Sequence, residues 1–176
     1  MIEKTAFDQV YAMMKASFPE IERRTYAGQK ELLSDPHYRL ITETDDHGSL
    51  IAILAVWEFP LFRFVEHIAV HPSIRGGGLG GKLMAAYINE STKPVILEVE
   101  PPESVLAERR INFYQRLGFQ LNPFDYLQPP LQKGLPDLPL KIMSYPVSLE
   151  ETEFSLFKDI LYTNVYKVMH NSIRIV

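Results

Sequence analysis

A chain of 176 residues, 46% apolar and 23% charged, has the bulk and composition of one globular domain with a buried core. Its net charge of -4 argues against counterion-driven binding to nucleic acid over a broad basic surface, while leaving room for a local basic pocket. The absence of cysteine excludes disulfides, thiolate catalysis and Cys-based zinc sites.

The histidines at 37, 47, 67, 71 and 170 follow no metal-ligand spacing. No apolar run reaches the ~18 residues that a membrane span needs, and Met1 to Val10 carries acids and lacks the apolar centre of a signal peptide. The expectation is a metal-free cytoplasmic protein that meets neither membrane nor nucleic acid. With no repeat, low-complexity tract or linker, residues 1–176 read as a single domain.

In chain order, residues 7–17 place Val10, Met13, Met14 and Phe18 at helical spacing, and Pro19 stops that helix. The run Glu20, Glu22, Arg23, Arg24 reads as a solvated helix start or as part of a binding rim. A short helix over Tyr26 to Leu33 follows. Tyr38 to Thr44, Ser49 to Phe59 and Leu61 to Val70 are β-rich runs, separated by the turn Asp45-Asp46-His47-Gly48 and by Pro60, and predict three antiparallel strands. The chain then passes through HPSIRGGGLGG into a helix that places Leu79, Leu83 and Tyr87 on one face, with Met84 and Ile88 beside them.

Pro94 to Glu100 is a short apolar strand buried on both faces. Glu103 to Leu117 predicts a helix with Leu106, Phe113 and Leu117 along its buried stripe, capped by a left-handed Gly118. Leu121 to Leu127 and Leu138 to Ser144 predict two further strands around a proline-rich loop, Gln128 to Asp137. A last amphipathic helix, Glu150 to Met169, has Phe154, Phe157, Leu161 and Val165 in phase, and packs on the domain or pairs with a second copy, so monomer and homodimer both stand. The sum is an α/β (α+β) chain with a mixed, mostly antiparallel sheet and flanking helices, not a doubly wound parallel one.

Arg75-Gly76-Gly77-Gly78-Leu79-Gly80-Gly81-Lys82 follows a strand and opens a helix. The first turn of a helix has unpaired N–H groups and a positive dipole end, and glycines let an anion approach them closely. Three patterns fit. Gly76, Gly78 and Gly81 spell G-x-G-x-x-G, but His71 to Arg75 separates them from the strand and the upstream chain lacks βαβ units. Gly76, Gly81 and Lys82 spell most of a P-loop, but Leu83 stands where Ser or Thr would hold magnesium. Arg75, Gly78 and Gly80 spell R-x-x-G-x-G. A purely structural turn is the bland alternative, and the glycine density argues against it.

From Glu66 to Phe119 the chain resembles the GCN5-related N-acetyltransferase (GNAT) family. HIAVHPSIRGGGLGGKLM (His67 to Met84) is similar to the family's strand, pyrophosphate loop and helix, and NFYQRLGF (Asn112 to Phe119) to the helix and turn beside the pantetheine arm. The core of the resemblance lies within 61–119, with 121–169 supplying C-terminal strands and helix. It implies an acetyl-CoA-dependent enzyme acting on a small-molecule or peptide amine, without a metal. It also implies a splayed parallel strand pair with the cofactor in the gap. Ile68, Ala69 and Val70 would then line the pantetheine, Arg75, Gly76, Gly77, Gly78, Leu79, Gly80 and Gly81 would hold the pyrophosphate, and Asn112 would contact the arm.

The chemistry needs a base for the amine, a donor for the oxyanion and a partner for the departing thiolate. The resemblance implies the Val70 N–H for the oxyanion and Tyr114 for the thiolate. The resemblance implies Glu66 as the leading base, since some members of the family carry one on this strand, and strand alternation puts it on the face of Ile68 and Val70, with Glu98 and Glu100 as rivals. The same alternation turns His67 away, as a structural residue. A non-catalytic acyl-CoA-binding module is the alternative function.

Overall fold

The computed structural model describes residues 4–168. The last helix, expected to run from Glu150 to Met169, ends at Asn164, with Val165 as its C-cap, and Met169 and His170 lie outside the described residues. Helix α1 (Lys4–Ser17), a 3-10 turn at Glu20–Glu22 and α2 (Tyr26–Glu31) precede strands β1 (Tyr38–Thr44), β2 (Leu50–Glu58) and β3 (Arg63–Val70). Then come α3 (Leu79–Asn89), β4 (Val95–Val99), α4 (Val105–Arg116), β5 (Gln120–Leu121), β6 (Tyr126–Gln128), β7 (Leu138–Tyr145) and α5 (Glu151–Asn164). The sheet runs β1-β2-β3-β4-β7-β5, with β6 also on β7. Among the described strands, only β3 and β4 are parallel to each other; the remaining pairs are antiparallel.

Each sheet face carries its own core. On one, Val10, Met13 and Met14 of α1 and Phe154, Phe157 and Leu161 of α5 pack with Trp57, Phe64 and Ile96. On the other, Leu83, Met84 and Tyr87 of α3 and Ile111 and Tyr114 of α4 pack with Leu54, Val65 and Leu97. The apolar face of α5 is thus covered within the chain. No described helix is long and apolar enough to cross a membrane.

Two expectations need correction. The run from Leu121 to Leu127 is two short strands, β5 and β6, because Pro123 lies between them and cannot donate to a ladder. The buried stripe of α4 is Ala107, Ile111 and Tyr114, whereas Leu106 is 71% exposed. Starting from Ala107, the i, i+4, i+7 stripe lies one residue out of phase with the expected one.

Two features fix the site. Cα pairing between β3 and β4 covers only Arg63–Val65 against Val95–Leu97, so the strands part before Val70 and leave a gap. The buried Arg63 donates to the carbonyls of Tyr87, Ile88, Ser91 and Lys93, satisfying the C-terminal end of α3 and anchoring that helix with its other end at the gap.

Candidate active site

The gap is the mouth of a cavity of about 620 Å³, walled by β3, β4, the glycine turn, α4 and the segment after α1. The turn does what its glycines suggest. Gly76 and Gly78 have φ of 90° and 77°, a left-handed conformation that other residues adopt at a cost. Gly78 is the N-cap of α3 and provides no side-chain acceptor, so the first amides of the helix are left for a ligand. A Cβ added at Gly76 or Gly78 would meet nothing within 4 Å, so the space over the turn is open. The Arg75 side chain folds back, its Nε donating to the Val70 carbonyl at 3.1 Å.

Strand β3 presents its backbone to the gap by parity. The His71 N–H donates to the Ile51 carbonyl, and His71 and Ile51 continue the antiparallel register of β3 on β2. Hydrogen-bonded pairs alternate along such a ladder. Ala69 and His67 therefore bond to β2, while Ile68 and Val70 turn their N–H and C=O groups toward the side where β4 has separated. Ile68 and Val70 also pack on the α3/α4 face. Ala69 lines the cavity, but its backbone is committed to β2 and its side chain joins the opposite core.

Glu66 departs from the sequence reading. Ala55 pairs with His67 and Val56 with Val65, so Glu66 is the extra residue of a β-bulge. Alternation breaks there, and Glu66 does not share the face of Ile68 and Val70. Its Oε1 accepts from Arg24 Nη1 at 2.7 Å, with side-chain exposures of 3% and 8%. Arg24 also donates to the Val165 carbonyl and lies 6.0 Å from the Trp57 ring centre. The charge run after α1 is thus not a solvated helix start, because its last member is a buried counterion. The other Glu66 oxygen, Oε2, faces His67 Nδ1 at 3.7 Å and has no hydrogen-bond partner among the described residues.

His67 is buried and lines the cavity beside Glu66. Its ring packs at a tilt against Phe18 and its Nε2 meets the Glu22 carbonyl at 2.7 Å, which requires the proton on Nε2. Burial pushes its pKa down, so the ring stays neutral.

Across the gap, Glu98 is on the same sheet face as Glu66. Tyr126 donates to its Oε1 at 2.5 Å, and the Tyr166 hydroxyl lies 2.6 and 2.7 Å from its two oxygens. Glu98 is partly exposed to the cavity, yet its carboxyl group is enclosed by these phenols. Burial raises the pKa and outweighs the two phenol hydrogen bonds; with the nearby Glu66 charge, the carboxyl is brought to about 7. Glu22 and Glu100 line the same cavity, and burial, then Glu100, raises the pKa of Glu22.

Tyr114 lies in the cavity wall on the α3/α4 side, and burial pushes its phenol up to about 12. Its neighbour Phe113 also lines the cavity. Asn112 does not: it is exposed, on the outer side of α4. Of the turn, Arg75, Gly76, Gly78, Leu79, Gly80 and Gly81 reach the wall, and Gly77 does not.

Comparison with known proteins agrees with this geometry. The sequence profile of the Acetyltransferase (GNAT) domain matches residues 35–121. A solved GNAT-family protein from Bacteroides thetaiotaomicron is 33% identical, with a TM-score of 0.85 over 96% of this chain and 98% of that one. The chain belongs to the GNAT family. A curated relative, "Putative acetyltransferase YjbC" of Bacillus subtilis (strain 168), is 35% identical over 62% of this chain, and the match spans 56% of the relative's length. The Escherichia coli ribosomal-protein-S18-alanine N-acetyltransferase shares the GNAT fold at 20% identity, with a TM-score of 0.61 over 85% of this chain and 92% of that one.

The residues present fit a coenzyme A-type donor: free amides at a helix start for a diphosphate, and an unpaired strand edge for an amide-bearing arm. The sequence did not single out Tyr126 or Tyr166 as partners of Glu98, or Arg24 as the partner of Glu66. All three come from distant parts of the chain and carry no local signal.

Proposed function

We propose that this GNAT protein is an N-acetyltransferase that moves an acetyl group from acetyl-CoA to an amine by direct attack in a ternary complex. One observation carries the reading. The free helix start and the open edge of β3 meet on one side of the gap, and a carboxyl group with a pKa of about 7 faces it from the other.

In this reading the α3 amides hold the pyrophosphate, with Arg75 adding positive charge. Ile68 and Val70 pair with the pantetheine amides, and the Val70 N–H faces the developing oxyanion. Glu98 takes the proton that the attacking nitrogen loses, directly or through water. A base near pKa 7 is half ionised at neutral pH, which suits the task. Glu66 is a weaker candidate than in the sequence reading, because one of its oxygens is tied to Arg24.

Tyr114 hydrogen-bonds the departing sulfur. With a pKa of about 12 it stays protonated and can donate. Complete proton transfer to a thiolate whose acid has a pKa of ~8.5 is uphill, so stabilisation by the hydrogen bond is its role. The atoms balance: the N–C bond forms, the C–S bond breaks, one proton passes from nitrogen to Glu98, and the sulfur leaves as a thiolate that takes its proton from solvent as Glu98 returns its own to solvent.

The test is the pH dependence of thiol release in Glu98→Gln and Glu66→Gln. Glu98→Gln is expected to lose the limb near pH 7 along with roughly 10²- to 10⁴-fold in rate, while Glu66→Gln keeps the limb. A limb retained in Glu98→Gln removes Glu98 as the base.

A further inference from the structure

Glu98 owes one of its two phenols to a residue outside the cavity wall. Arg24 precedes Thr25, the N-cap of α2, and its own carbonyl accepts from the Tyr11 hydroxyl at 2.9 Å, so its backbone is tied to α1. Its buried side chain serves two elements: Nη1 donates to Glu66 in the bulge of β3 at 2.7 Å, and Nη2 to the Val165 carbonyl at 3.1 Å. Val165 is the C-cap of α5, where helix carbonyls lack intrahelical partners and favour a cation. The next residue is Tyr166, whose hydroxyl meets both Glu98 oxygens at 2.6 and 2.7 Å. The remaining backbone ties of this segment are local, from the Tyr166 and Val168 N–H groups to Leu161 and Tyr162 of α5 itself. Lys167 reaches Asp35 at 3.4 Å, but its side chain is 61% exposed, so that pair holds the segment weakly. Among the described polar contacts, Arg24 is therefore the buried link between the end of α5 and β3.

Resting on the reading of Glu98 as the base, we infer that Arg24 is a positioning residue for the reaction: by holding the Val165 carbonyl against β3, it sets the Tyr166 hydroxyl on Glu98. Arg24 does not line the cavity and acts only through its neighbours. A planar guanidinium suits the task, because its two nitrogens fix two acceptors at one spacing. A hydrogen bond to a carboxylate weakens steeply as its distance and angle degrade, so a small displacement of Val165 takes the hydroxyl off Glu98. The charged and titratable groups around Glu98 are Tyr126 from β6, Tyr166 and Tyr162 from the α5 side, Glu66 from β3, and Arg24; β7 pairs the apolar Ile142 with it. Glu66 raises the pKa of Glu98 and Arg24 lowers it, so removing both sets their charge effects against each other and leaves the effect of position.

The experiment follows the Glu98 carboxyl carbon by carbon-13 NMR across a pH titration of the glutamate-labelled chain, with the resonance assigned by its loss in Glu98→Gln. The pH profile of thiol release is run on the same proteins. Tyr166→Phe should raise the proton affinity of Glu98 by about ten- to hundredfold, as expected for one lost hydrogen bond to an ionised group. The pair Arg24→Met with Glu66→Gln leaves neither partner as a lone buried charge, and should raise it by about the same factor. Adding Tyr166→Phe to that pair should then change it by less than about threefold, because the hydroxyl has already left. Arg24→Lys keeps the charge but offers one nitrogen for two acceptors, and should shift the affinity in the same direction. An affinity within about twofold of wild type in the pair variant or in Arg24→Lys, or a full Tyr166→Phe effect on top of the pair, overturns the inference. The limb of thiol release should move to higher pH together with the carboxyl. A limb that stays in place while the carboxyl shifts keeps Arg24 as the residue that sets Tyr166 and removes Glu98 as the base, so the two failures are told apart.

Discussion

Removing one phenol should move the catalytic titration without destroying the site. In Tyr126→Phe, Glu98 loses the 2.5 Å hydrogen bond to Oε1 and keeps the Tyr166 hydroxyl beside both oxygens. A hydrogen bond to an ionised group contributes ~1.5–3 kcal/mol, and 1.36 kcal/mol corresponds to one pKa unit, so the carboxyl should rise by ~1–2. It starts at about 7. At pH 7 the ionised fraction then drops from about half to between ~0.01 and ~0.1, a rate loss of ~5- to 50-fold. A water entering in place of the hydroxyl would put the loss near the lower figure.

The assay is thiol release between pH 5.5 and 9.5 for both proteins with one acceptor, whose own deprotonation cancels in the rate ratio. The ratio should approach unity above pH 9. A ratio that is constant across the range would refute the reasoning, since Tyr126 would then support packing alone and Glu98 would not be the titrating group.

Tyr114→Phe should lower kcat by about tenfold or more while coenzyme A affinity by calorimetry stays within about twofold, because a donor to the departing sulfur acts in the transition state. Gly78→Ala forces a Cβ into a backbone with φ of 77° at the helix start, and should weaken coenzyme A binding by about tenfold, read by the same titration. Arg24→Met leaves the Glu66 carboxylate buried without its cation, and should cost ~3–5 kcal/mol in denaturant unfolding at pH 7. Because the pKa of Glu98 is raised on folding, its contribution to stability is full below its unfolded value of 4.5 and is lost as pH rises through about 7. Glu98→Gln should therefore flatten the decline in stability between pH 5 and pH 8, measured by the same unfolding.

The parts of this molecule written in local sequence were legible. Pro60 and the Asp45-to-Gly48 turn set off the antiparallel strands, and the positive-φ demands at Gly76 and Gly78 belong to the turn itself. Gly118, with φ of 97°, ends α4 as its place after the helix implies. The bulge at Glu66 was not legible, because an inserted residue looks like any other until a partner strand skips it. One unseen bulge was enough to put the leading base candidate on the wrong face. Arg24 looked solvated because its partner lies 42 residues along the chain. Glu98 gained its environment from Tyr126 and Tyr166, 28 and 68 residues away, so its standing above Glu100 rests on tertiary packing. In α4, sparse apolar residues left the stripe's phase undetermined between Leu106 and Ala107.

The most direct test is a calorimetric titration of the chain with coenzyme A, set beside pantetheine, which lacks the diphosphate. Saturable one-to-one heat with coenzyme A, and binding at least ~100-fold weaker with pantetheine, is the outcome expected if α3's first amides grip the phosphates. Equal binding of the two, or no heat from either, would contradict it.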